Sequence, residues 1–63
     1  MRRQTKCKNG NLVERFYDRA SRSSVTRVID SQGNQIGDAD YSGDRKSADY
    51  VKTIMIQDNG GKQ

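Results

Sequence analysis

The segment Ser31-Gln32-Gly33-Asn34 sits between two runs rich in strand formers, residues 24–30 (SVTRVID) and 35–41 (QIGDADY). Gly and Asn tolerate the positive φ that a tight reversal demands, so this segment predicts a hairpin. The hairpin commits the middle of the chain to antiparallel pairing. A third run, residues 12–19 (LVERFYDR), precedes the polar cluster at 20–24 (ASRSS), which reads as a second turn. Two-residue alternation along 12–19 places Val13, Arg15, Tyr17 and Arg19 on one side, with Leu12, Glu14, Phe16 and Asp18 on the other. Gly37 weakens the third strand and marks a candidate bulge.

Beyond residue 43 the period changes. Ser42 or Asp44 can cap the free N–H groups of a following helix. From 45 to about 57, Ala48, Val51, Ile54 and Met55 recur at spacings of three and four, which makes one apolar helical stripe. The run VKTIMI at 51–56 is also rich in β-branched residues, so a fourth strand is the rival reading. The stripe begins at Ala48 and a cap precedes it, which favours the helix. Asn59-Gly60-Gly61 ends that element.

The expected fold is therefore α+β: a small three-stranded antiparallel meander packed against one C-terminal helix. Residues 1–11 read as a flexible basic arm, 12–57 as the single domain, and 58–63 as a disordered tail. The helix stripe is expected to meet Leu12, Phe16, Val25 or Val28, Ile29 and Ile36, the smallest arrangement that hides the apolar side of such a sheet.

Composition limits the chemistry. Leu, Ile, Val and Phe number ten in 63 residues, so the core is thin and a partner or a second copy would add burial. There is no His, and the single Cys7 can form neither an internal disulfide nor a structural zinc site. Cys7 lies between Lys6 and Lys8, a setting that would favour its thiolate. No apolar run approaches the ~20 residues needed to cross a bilayer. A lone thiol and no export signal predict a reducing cytoplasm.

Charge is uneven. Residues 1–27 hold eight basic and two acidic side chains, and residues 28–63 hold four basic and six acidic ones. A basic half of this kind suits a polyanion. Arg15, Tyr17 and Arg19 on one strand face, with Arg27 beside them and Arg22 in the turn, make a candidate nucleic-acid surface. Arg2, Arg3, Lys6 and Lys8 would supply an arm that follows phosphates. In outline, a basic arm, a three-stranded sheet and a C-terminal helix resemble the small arm-site DNA-binding domains of phage-type integrases. The resemblance is one of architecture and implies a DNA partner.

Three further readings compete with this one. Asp38, Asp40, Ser42, Gly43, Asp44 and Asp49 fall at the first, third, fifth, sixth, seventh and twelfth positions of an EF-hand-like calcium loop, one half of a dockerin-type site. Arg45 and Lys46 stand where that pattern has an apolar residue and an oxygen ligand. A cap for the helix is the plainer role of these carboxylates. Glu14, Arg15, Tyr17 and Arg27 could be assembled as a nuclease centre, yet charge pairing along strands accounts for them, and no enzyme activity or cofactor is expected. Lastly, the chain resembles in style the accessory proteins of phages and plasmids that bind and inhibit a host protein. An Arg- and Tyr-bearing face or an open strand edge would serve such a partner, including a nucleic-acid-handling complex.

Overall fold

A computed structural model describes residues 2–63. The chain runs β1 (Arg3–Lys6), β2 (Leu12–Asp18), β3 (Ser23–Ile29), β4 (Gln35–Ser42) and α1 (Arg45–Asp58). The four strands form one antiparallel sheet in chain order.

The reversal at residues 30–34 is made by its own side chains. The Asp30 carboxylate accepts from the backbone N–H groups of Gln32 and Asn34, each at 2.9 Å, and Gly33 takes a φ of 88°. Its pKa is lowered, first by the Asn34 N–H. The β2–β3 turn is built similarly: Asp18 accepts from the Ser21 hydroxyl at 2.7 Å and its N–H at 3.2 Å. In β4, Gly37 has a φ of 71° and the pairing with β3 slips between Thr26 and Val28, which is the bulge expected there. Asp44 caps α1, accepting from the Ser47 N–H at 2.8 Å. Residues 51–56 are helical.

The sheet has four strands rather than three. Arg3–Lys6, expected within a flexible arm, pairs with β2 from Arg3↔Arg15 to Lys6↔Leu12; Met1 lies outside the described residues. Two contacts hold this polar strand in place. Cys7 is buried at its end, with its N–H donating to Asn11 at 2.8 Å, and Gln4 donates to Glu14 at 2.9 Å. The chain end is tied to the outer edge of β1: the Gln63 N–H donates to Lys6 O and the Lys8 N–H to Gly61 O, both at 2.9 Å. Asn59 accepts from the side chains of Asn9 and Asn11. The thiol of Cys7 is thus enclosed, 3.9 Å from the Thr5 carbonyl, and the basic neighbours do not expose it to reagents.

The helix does not cover Leu12, Phe16, Val25 and Ile29 as anticipated; of the expected contacts, Val28 and its cross-strand partner Ile36 lie on its side of the sheet. Cross-strand partners share a face, so Thr5, Val13, Arg15, Tyr17, Ser24, Thr26 and Val28 lie together. Asp49 on α1 bonds Arg15, which places the helix on this side. Val13, Thr26 and Ala48 have no exposed surface. Their small volume lets helix and sheet approach closely. Of the expected helix stripe, Ala48 is buried and Val51 and Met55 are half-buried, whereas Ile54 is exposed and Ile56, outside the stripe, is half-buried. Leu12, Phe16, Val25 and Ile29 occupy the far face, where Val25 and Ile29 are buried opposite Phe16 and Leu12.

The Thr26 hydroxyl is buried and has no hydrogen-bond partner among the described residues. Valine keeps the branched shape without the stranded polar atom. Thr26→Val is therefore expected to stabilise the domain by about 1 kcal/mol, raising Tm by roughly 4–8 °C in thermal melting. A lower Tm would mean that the hydroxyl is satisfied.

Candidate nucleic-acid interface

The helix starts beside the end of β4 and finishes against the β1–β2 hairpin, so it crosses the sheet diagonally. The corner beside the first half of α1 stays open, above β1 and β2. A cleft of about 570 Å³ lies there, lined by Arg3, Arg15, Phe16, Tyr17, Ser24, Arg45, Asp49 and Lys52.

Both walls are basic for local reasons. Arg3 and Arg15 are direct cross-strand partners, and Tyr17 is the next residue of β2 on that side, opposite Ser24. On the helix, Arg45, Asp49 and Lys52 recur at spacings of four and three, which puts them on one face. The cleft therefore holds four cations against one carboxylate, and that carboxylate is engaged by Arg15. Arg3, Arg45 and Lys52 make no ion pair among the described residues. Like charges directly opposite on a sheet are destabilising. Crowding of this kind is relieved by a bound anion. Tyr17 is 59% exposed beside these groups.

The residues anticipated as a basic face and a basic arm are divided among four places. Arg15, Tyr17 and Arg3 meet in the cleft, and Arg19 and Arg22 lie exposed in the turn that follows Tyr17. Arg27 does not join them. It is the cross-strand partner of Glu14, on the far face of the sheet. Arg2 reaches the same group: Glu14 accepts from Arg27 at 2.8 Å, Gln4 at 2.9 Å and Arg2 at 3.1 Å. The two guanidiniums also stack over Phe16, at 4.3 Å for Arg2 and 5.7 Å for Arg27. Burial of Glu14 works to raise its pKa, but the bonds from Gln4 and Arg27 and the nearby charges of Arg27 and Arg2 outweigh it, leaving the carboxyl below its ordinary value. These arginines are paired with Glu14 on the far face, away from the cleft. Lys6 and Lys8 are exposed at the end of the sheet where the chain terminus docks.

The basic surface read from the sequence includes neither Arg45 nor Lys52; the signal for them is their spacing of four and three with Asp49 along the helix. The four residues of the nuclease arrangement are split, Glu14 and Arg27 on one face, Arg15 and Tyr17 on the other. The calcium-loop pattern is spread out as well. Asp38, Asp40 and Ser42 belong to extended β4, with the Ser42 hydroxyl bonding Asp40 at 2.8 Å, while Asp44 caps α1 and Asp49 bonds Arg15. No three potential metal-ligating side chains cluster among the described residues.

No described helix is long and apolar enough to cross a membrane. Comparison with known protein families, with curated proteins and with solved structures finds no match for this chain.

Proposed function

We propose that the chain is a non-enzymatic nucleic-acid-binding module that holds phosphates in the cleft between β1–β2 and α1. The observation that carries this reading is the convergence of Arg3, Arg15, Arg45 and Lys52 on one concavity with a single, already engaged carboxylate. Such a field attracts a polyanion and speeds its encounter. Arg19 and Arg22, exposed at the same end, extend the positive surface along a ligand longer than the cleft. Recognition of a protein by strand addition has less support. The outer edge of β4 is interrupted at Gly37 and bears Asp38 and Asp40, features that discourage edge pairing.

The test is fluorescence anisotropy with labelled oligonucleotides, single-stranded and duplex, at about 50 and about 200 mM salt. If four phosphates are neutralised, affinity falls on the order of a hundredfold between those conditions. Arg3→Ala with Arg45→Ala and Lys52→Ala is expected to abolish most of the binding and flatten the salt dependence. Undiminished binding by that variant, or none by the parent at the lower salt, defeats the reading.

A further inference from the structure

Resting on that reading, we infer that the ligand is single-stranded, with a base stacked on Tyr17 and its flanking phosphates between the two basic walls. A duplex presents its phosphates on a wide, convex surface, and a protein reads it by pushing a helix or ribbon into a groove. Here the geometry is inverted. Arg3 and Arg15 on the sheet and Arg45 and Lys52 on the helix converge on a concavity of about 570 Å³. The charges line a hollow between sheet and helix rather than standing on a projecting helix or ribbon that could enter a groove. A single strand bends and unstacks, and can thread between them.

The remaining lining groups fit an unpaired nucleotide. Tyr17 is the one tyrosine of the lining and most of its surface is open. Basic grooves that follow a strand's backbone use such rings as stacking platforms, because every base has a π face. A carboxylate would be a poor neighbour for a phosphate, but Asp49 is held by Arg15 and can accept from the exocyclic amino group of an unpaired base. The Ser24 hydroxyl, opposite Tyr17 across the strands, offers both a donor and an acceptor. In a duplex the Watson–Crick edges are paired and the base faces are stacked on one another, so Tyr17 has no free ring face to receive.

The experiment compares a labelled single strand, in DNA and RNA forms, with the corresponding duplex at one low salt concentration. The single strand is expected to bind at least tenfold more tightly than the duplex. Tyr17→Ala should weaken single-strand binding by about tenfold or more and leave the weak duplex binding unchanged. Tyr17→Phe should retain the parent affinity, since it keeps the ring. Tyr17 is exposed, so both variants are expected to keep the parent's circular dichroism. Equal or tighter duplex binding, or parent affinity in Tyr17→Ala, overturns the single-strand assignment while leaving a nucleic-acid module in place. No binding to either form removes both. A ratio of DNA to RNA affinity near one places recognition in base and phosphate; a large preference for RNA adds the 2′-hydroxyl to what the site reads.

Discussion

Glu14→Ala is expected to destabilise the domain by about 2–4 kcal/mol in urea titration, with a fall in midpoint and little change in slope. Only 3% of the Glu14 side chain is exposed, and it accepts from Arg2, Gln4 and Arg27. Deleting it takes away the Gln4 amide's partner and leaves two guanidiniums over one Phe16 ring without a counter-charge. Arg2 and Gln4 are both exposed, so water replaces or screens their share, and most of the loss comes from Arg27. At ~0.05–0.15 kcal/mol per residue the whole chain has about 3–9 kcal/mol to lose. Because Gln4 is the contact that ties β1 to this cluster, its amides should lose exchange protection first.

The same cluster sets an acid limit. The folded carboxyl of Glu14 sits below its ordinary pKa, so the native state binds fewer protons than the unfolded chain near that value. Its contribution is present above the ordinary carboxylate range, near pH 4, and drains away as pH falls through that range towards the folded value. Asp18, Asp30 and Asp44 are lowered too, chiefly by the Ser21 hydroxyl, the Asn34 N–H and the Ser47 N–H respectively. Glu14→Ala should therefore show a shallower acid dependence than the parent, but not a flat one. A variant within ~0.5 kcal/mol of the parent at neutral pH would show that the cluster is a surface ornament, as exposed ion pairs often are.

Elements specified by neighbouring residues were legible in the sequence, and those specified by partners were not. The turn at 30–34 and the start of α1 are each written in an Asp placed to accept from N–H groups two to four residues ahead. β1 has no such signal. Gln4 and Thr5 are ordinary polar residues, and they form a strand because β2 and the chain end offer partners. Alternation along β2 separated two faces but did not say which would be covered. Leu12 and Phe16 are the larger apolar residues, whereas close packing against Ala48 selected Val13 and Thr26. The assignment of Arg27 depended on register. The β2–β3 turn pairs even positions of β2 with odd positions of β3, so Arg27 faces Glu14 rather than Arg15. Arg15 and Tyr17 were found by alternation, but Arg45 and Lys52 join them only through the diagonal path of the helix, which no local pattern records.

Val13→Asp is expected to leave the domain unfolded at neutral pH, the largest effect of any single change considered. Val13 has no exposed surface and stands between Thr5 and Val28 beneath α1. Asp49 already occupies the guanidinium of Arg15 on that face, so the new carboxylate has no ready counter-charge. Holding it neutral at pH 7, about three units above its ordinary pKa, costs ~4 kcal/mol. Losing the buried valine costs about 1.5–3 kcal/mol more. Together these approach or exceed the stability available to the chain. Phe16→Ala supplies the contrast. A fully buried phenylalanine would cost about 3–5 kcal/mol, but this ring is only half-buried, with Arg2 and Arg27 lying across it. Its loss should stay near 1–2 kcal/mol and preserve a cooperative melt. A folded Val13→Asp beside an unfolded Phe16→Ala would put the helix on the other face of the sheet, and the cleft with its four cations would be lost with it.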